Sequence, residues 1–495
     1  MGLVEETSAT YPRGRGGAQT NSRPQPDTWR PLGDPVAVAA PEVTMPPSMP
    51  QEWAWEIEDL YGVWYNHLVG NQRRFAYYDG RNRLKDFGIS TPPELLNVET
   101  VVGWPNKAVM SLAVRSRFDG FTAGGEELQG RLDAISQRSH LRVKYRQAVE
   151  SECVHGCCFA TVGTTKGGAR IDIHDAEHAA ARWDDALGRV AYGLTVDLSP
   201  TGEVEALTLY DAEATVYVWT TRAGLWDWEA YRHRMGRPLM EAFAYRPTQR
   251  KPFGQSRITR AVMSITDSAV RVALGGDISF QFAVAPQKYL LGADRRAFAN
   301  KTRWEAYIGN IMAVGRDGNG DTPVFGQLQQ ASMEQTVSYM RLLAARFSGE
   351  TNVPISQLGV IHDNPSSAEA IYAASEPLII ECQDLNDGNR ETLRALAKMA
   401  LAAEADVPLD ALTEEDEDFS PNMSNPAMPS VVSMADAAVK IAAAVPGFAG
   451  TESFWKMVGL PEDTRREVLA QVDAANTRAM LTALFTQGTQ AGTDG

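Results

Sequence analysis

Residues 153 to 158, "CVHGCC", put three thiols and an imidazole into six positions. Cys153, His155, Cys157 and Cys158 are side chains that can bind zinc or attack as thiolates. The spacing C-x-H-x-C-C matches no common structural zinc site, and no second ligand pair follows at a finger-like distance. The wider run "VKYRQAVESECVHGCCFATVG" reads as the apolar end of a helix entering a strand. Buried thiols packed as small hydrophobes are therefore expected. Further on, His174, Asp175 and His178 stand in "HDAEHAAARWDD". The two histidines have the i, i+4 spacing of zinc ligands on one helix, but Asp175 stands where the H-E-x-x-H motif needs glutamate. A short helical insert with a solvated end is expected instead. In "GRDGNGDTP", Asp317, Asn319 and Asp321 alternate as the first calcium ligands of an EF-hand do. The position for the sharp-turn glycine holds Thr322 and that for the bidentate glutamate holds Leu328, so a tight turn is expected. Neither G-x-x-x-x-G-K-[ST] nor G-x-S-x-G occurs, which removes the P-loop and the nucleophile elbow from consideration.

No complete ligand or nucleophile set is in view, so the bulk properties bear more weight. A chain of 495 residues has room for two to four structural units, and its 44% hydrophobic and 22% charged content is that of a folded protein. Four cysteines make no disulfide framework. No apolar run of membrane-spanning length occurs, and the N-terminus lacks the signal-peptide pattern; no membrane span and an intracellular product are expected. The net charge is −15, from 47 basic and 62 acidic side chains. That argues against tight binding of nucleic acid by phosphate neutralisation, but not against a protein that touches DNA without retaining it.

Residues 1–45 carry Gly, Pro, Ser, Thr and scattered Arg without periodicity, the composition of a flexible arm. Trp53, Ile57, Leu60, Trp64 and Leu68 then line one helical face. "VGWPNKAVMSLAVRSRFDGF" predicts a short helix, and one long helix is expected from Leu128 to about Val154. Between Phe159 and Tyr245 the period becomes two, with turns at "KGG", "SPTG" and "RAG": a meandering antiparallel sheet. Over 256–285, Ile258, Val262, Ile265, Ala269 and Val272 line one face, while Arg257, Arg260, Ser264, Asp267 and Arg271 line another. Residues 331–350 form a further helix. Val353–Pro354 and Asn364–Pro365 keep 351–365 out of helix, and Ser366 with Glu369 forms a capping box for a helix reaching Ala405. If continuous, that helix is about 58 Å long, and Pro377 bends it. An acidic run, "TEEDEDF", and a final helical unit complete the chain.

"RFAYYDGRNRLKDFGISTPPEL", "VGWPNKAVMSLAVRSRFDGF", the sheet from "HDAEHAAARWDDALGRVAYGL" to "LYDAEATVYVW", and "VPISQLGVIHDNPSSAEAIYAASE" occur in order over about residues 50–400. Together they resemble the portal proteins of tailed bacteriophages, in the long-tailed, siphovirus-type branch. The acidic helix bearing Pro377 departs from the smoother small-residue run of relatives.

The resemblance implies an α+β fold with wing, stem, clip and crown regions, mostly helical, with an antiparallel wing sheet and a long kinked helix. By analogy, 1–45 is the arm, 46–253 the wing, 254–285 a stem helix, 286–330 the clip and 331–350 the second stem helix. Residues 351–366 become the tunnel loop, 367–405 the long helix, and 406–495 the C-terminal wing and crown helices. It further implies a homo-oligomeric ring of twelve subunits at one capsid vertex of the virion, assembled in the host cytoplasm. Double-stranded DNA passes without sequence specificity, and the large terminase subunit, head–tail connector or adaptor proteins, major capsid and scaffold proteins are the protein partners. No catalysis, cofactor, metal or membrane is implied.

Within that frame Asn352, Gln357, His362 and Asn364 are the loop groups placed to meet DNA. Arg257, Arg260 and Arg271 form a stem stripe that either lines the channel or bridges subunits. Twelve copies carry roughly −180, a field that repels a polyanion rather than trapping it. Two alternatives remain: another structural head or connector protein, and a metal-dependent hydrolase using Cys153, His155 and Cys158 or His174, Asp175 and His178.

Overall fold

The computed structural model describes residues 43–82, 100–284, 288–291, 324–327, 333–359, 368–427 and most of 431–478. The chain forms two compact units, residues 1–426 and 427–495. The first begins with helix α1, Gln51–Tyr78, which buries Trp53, Ile57, Leu60 and Trp64. This stripe covers one face of a five-stranded antiparallel sheet: β4 (Ala179–Asp184), β5 (Arg189–Leu198), β6 (Val204–Tyr210), β7 (Ala214–Thr220) and β8 (Trp226–Arg232), in that order. Strand alternation decides which side chains meet the helix. In β7, Ala214, Val216 and Val218 point inward, while Tyr217 and Trp219 stack on the far face, ring centroids 5.2 Å apart.

The expected single meander is two sheets. β2 (Cys157–Thr165) is flanked by β3 (Gly168–Asp175) and β9 (Met240–Ala244), making a separate three-stranded sheet. Its central strand reads "CCFATV", nearly continuous in apolar or small residues, because helices pack over it. The expected single helix over 128–154 is also two, α3 (Glu126–Arg138) and α4 (Leu141–His155). His140, at φ 50°, turns the chain left-handed between them, and Ser139 Oγ accepts the Ile171 N–H at 2.9 Å. The break swings Leu141 and Tyr145 onto the core that Leu132 and Ile135 already face.

Helix α2, Trp104–Ala113, starts with Pro105 in its first turn, where the missing N–H costs nothing. Strand β1 (Phe118–Ala123) pairs with β12 (Phe419–Met423), about 300 residues away. Helices α5 (Arg260–Val284) and α6 (Met333–Thr351) pack together, and between them in sequence β10 (Lys288–Leu291) pairs with β11 (Val324–Gln327). The "GRDGNGDTP" turn lies outside the described residues.

Helix α7, Ala368–Ala405, runs through Pro377 for 38 residues, about 57 Å. Pro377 marks a boundary in burial. Ile371 and Tyr372 before it are more than half exposed, whereas Leu378, Cys382, Leu393, Leu396 and Leu401 beyond it are buried. The capping pair Ser366 and Glu369 precedes or enters this helix, and the contact expected between them lies outside the described residues. In the second unit, α8 (Val431–Ala444) and α9 (Glu452–Val458) flank one 3-10 turn, and Phe448 meets Phe454 edge-to-face. Among the described residues no helix is long and apolar enough to cross a membrane.

The link from β9 to α5 depends on Gly254, at φ 72°. A Cβ there would sit 2.6 Å from Gly156 O and closer still to Tyr245 O. Gly254→Ala is expected to cost about 2 to 4 kcal/mol, the sum of left-handed strain and overpacking. Denaturant unfolding of the two chains checks this; equal midpoints would contradict the close approach.

Candidate functional site

The residues with chemical potential are placed first by their surroundings. Cys153 and Cys158 are buried, and burial drives both thiols well above their usual range; Cys157 and Cys382 are pushed to about 12 by the same cause. Such thiols are neither thiolate nucleophiles nor ready metal ligands. "HDAEHAAARWDD" is a strand, a turn and a strand, not the helical insert expected. β3 stays paired with β2 as far as Asp175, and β4 joins β5 from Ala179. Pairing across two sheets overrides the helix propensity of the alanines. His174 therefore sits in β3 against Thr161 Oγ1 at 2.9 Å, and His178 caps the turn against Asp175 Oδ1 at 2.7 Å. Among the described residues no three of His, Cys, Asp and Glu are grouped to hold a metal ion.

The arginine stripe divides. Arg260, the first residue of α5, is exposed, and Arg271 is half-buried with Nη2 donating to Ser268 Oγ at 3.0 Å. Arg257 departs from the expectation. It precedes α5, is 4% exposed, and cannot belong to a solvated or channel-facing stripe. Asp267, on the same expected stripe, is buried against Tyr77, whose hydroxyl donates to it at 2.8 Å.

What Arg257 does instead is hold a junction. Its Nε donates to Ala108 O at 2.8 Å, Nη1 to Tyr245 Oη and Glu381 Oε1 at 2.5 Å each, and Nη2 to Thr351 O. One guanidinium thus joins α2, the end of β9, the approach to α5, the end of α6 and the long helix α7. Burial alone would lower its pKa; the neighbouring Tyr245 and Glu381 outweigh that and raise it, so the charge is kept.

The proline-rich segment opens on this junction. Asn352, at φ 55°, donates from Nδ2 to Glu381 Oε2 at 3.1 Å. Val353 and Pro354 are buried, Ile355–Leu358 forms one 3-10 turn, and Leu358 O accepts Trp104 Nε1–H at 3.2 Å. Gln357 is half-buried within that turn. Asn352 and Gln357 therefore lie in an anchored stretch. His362 and Asn364 lie outside the described residues. Sequence reasoning missed Glu381, Tyr245 and Trp104. The one signal was a glutamate inside the apolar run "LIIEC".

No family model matches the chain. Against curated proteins it is 26% identical over 386 residues to the portal protein of Mycobacterium phage D29, covering 74% of this chain and 77% of the relative. The portal protein of Mycobacterium phage L5 matches equally, at 26% over 387 residues. The chain is similar to these phage portal proteins over about three quarters of its length. Solved structures with partial likeness to this chain include one from the virion of a native gene transfer agent particle. Its TM-score is 0.40 at 12% identity, over 72% of this chain and 90% of that one. Another is a chain from the neck of the native particle computed with C12 symmetry, at TM-score 0.37 and 12% identity, over 79% and 99%.

Proposed function

We propose that the chain is a portal subunit: copies close into a ring at one capsid vertex, and double-stranded DNA enters and leaves through its channel. The observation that carries this reading is the match to two portal proteins over 74% of the chain. The role is structural, without a catalytic centre, and the ring has twelve subunits. In this reading 46–253 is the wing, α5 and α6 the stem helices, 286–330 the clip that docks terminase and connector proteins, and 351–366 the tunnel loop. Residues 1–45 are the arm, 367–405 the long helix and 406–495 the C-terminal wing and crown helices, and assembly takes place in the host cytoplasm with capsid and scaffold proteins.

Physical features support self-association. Val337, Tyr339 and Leu342 on α6, and Ile371, Tyr372 and Ile380 on α7, are each about half exposed. Single chains leave these apolar faces in water, and neighbouring copies would cover them. The net charge of −15 keeps the contact with DNA weak, as translocation requires. In the loop, Asn352 and Gln357 lie in the anchored stretch; in this reading His362 and Asn364 are the remaining loop groups that meet DNA, with Arg260 exposed at the start of α5.

The test is the native mass and negative-stain shape of the purified full chain. A channelled ring near twelve times the 54.1 kDa subunit supports the reading. A chain that stays monomeric on its own and in the presence of capsid and scaffold proteins overturns it.

A further inference from the structure

On α1, Trp64, His67, Asn71 and Arg74 fall on one stripe and face a cavity of about 530 Å3. Its other walls are the β4 alanines, Phe159, Phe253 and the segment that leads into α5. The charged lining is of one sign: Arg74 within, Lys251 and Arg260 exposed at the rim, and no Asp or Glu. This is unexpected in a chain with fifteen more acidic than basic groups.

Arg74 donates to Asn71 Oδ1 at 3.0 Å and to His155 O at 3.2 Å, and among the described residues no carboxylate pairs with it. The buried guanidinium groups of Arg257 and Arg237 each have a glutamate, Glu381 and Glu241, whereas Arg74 has none among the described residues. A partly desolvated cation without a counter-ion is costly, and a bound anion would offset that cost. His155 adds an independent sign. Its side chain is 3% exposed, its Nδ1 has no partner, and it lines the same cavity. Two acids act near His155: Glu177 stands 3.9 Å from the opposite ring nitrogen, and the charge of Asp175 also reaches the ring; neither is part of the lining. Burial, with Arg74 second, holds His67 below its usual pKa, so that imidazole is neutral and can still hydrogen-bond an anion.

We propose that this cavity binds an anionic group, phosphate or carboxylate, carried on a flat apolar body. The head group meets Arg74 and His155, and the body lies against Trp64, Phe159 and Phe253. The volume fits a small ligand, and the mix of apolar walls with a few convergent polar groups fits such a site. This inference does not rest on the portal assignment. A ligand held here would brace α1 and the five-stranded sheet against the start of α5.

Phenyl phosphate titrated by calorimetry into the full chain, at constant ionic strength, tests it, with benzoate, inorganic phosphate and phenol in parallel. Saturable binding at one equivalent per chain is expected, tighter than phosphate or phenol alone. Whichever of phenyl phosphate and benzoate binds more tightly identifies the head group. Arg74→Gln should weaken binding about tenfold or more. If that variant does not fold, Lys251→Gln/Arg260→Gln, altered only at exposed positions, should weaken it by a few fold. No saturable binding of either ligand, or unchanged affinity in the folded variant, overturns the proposal.

Discussion

Replacing Arg257 with methionine is expected to lower the unfolding free energy by about 3 to 5 kcal/mol, the range for breaking a buried ion pair from one side. Methionine fills the space of the aliphatic stem, so the loss comes chiefly from polar groups left behind, with the vacated guanidinium space adding to it. The Glu381 carboxylate, with side-chain exposure of 11%, would lose its cation, and Ala108 O and Thr351 O would lose their donors. Glu381→Gln should cost less, because the amide oxygen still accepts from the guanidinium, and what is lost is the charge and the Asn352 bond to Oε2. A double Arg257→Met/Glu381→Met chain should recover much of the difference, since an apolar pair leaves no isolated buried charge. Denaturant unfolding of the four chains measures all three terms. If Arg257→Met lost less than about 1 kcal/mol, the junction would be peripheral to stability. A second readout follows from geometry. Asn352 hangs on the same carboxylate, so protease cleavage in 352–367 should rise in both single variants.

The junction also explains why part of the site could not be read in the sequence. Arg257, Arg260, Ser264, Asp267 and Arg271 recur three or four apart, which is what a solvated helix face looks like. The partners that draw Arg257 inward lie 94, 124 and 149 residues away. Local period carries no trace of them. The break at Ser139–His140 was hidden likewise, because neither residue is a glycine or proline and the Ile171 N–H that Ser139 satisfies belongs to another element. In "HDAEHAAARWDD" local propensity pointed to helix and strand pairing won. By contrast α1, α2, α6 and α7 were legible within a few residues. They combine a clear apolar stripe with proline, glycine or a capping residue at an end. The buried thiols were legible too, since their helix-to-strand setting is local.

The Glu152→Gln chain is expected to be more stable than the parent at pH 8, by about 2 kcal/mol or more, and nearly equal to it at pH 5. Glu152 lies on α4, fully buried, with Asn389 Nδ2 donating to Oε1 at 2.7 Å and no partner for Oε2. Burial pushes its pKa up to about 8, and the Asn389 bond opposes that only in part. The unfolded chain releases this proton near pH 4.5 and the folded chain keeps it to about 8, so the folded state holds more protons across that window. Stability must therefore fall as pH rises from about 4.5 to 8, by up to about 1.4 kcal/mol per unit for one group. Below the window the two states are equally protonated; above it the penalty is constant. Glutamine keeps an acceptor for Asn389 and removes the titration, so it flattens the profile. Glu56 and Glu177, each pushed up to about 7 chiefly by burial, give both chains a residual fall that cancels in the difference. Unfolding free energies at pH 5, 6.5 and 8 would decide, and parallel profiles would mean that Glu152 ionises in place without cost. The same network reaches Tyr145, Ser116 and Asn386 and so joins α4 to the long helix α7. A carboxylate forced to ionise there would act first on the contact between α4 and α7. Hydrogen exchange should accordingly quicken along 382–396 at pH 8 in the parent and not in the Gln chain.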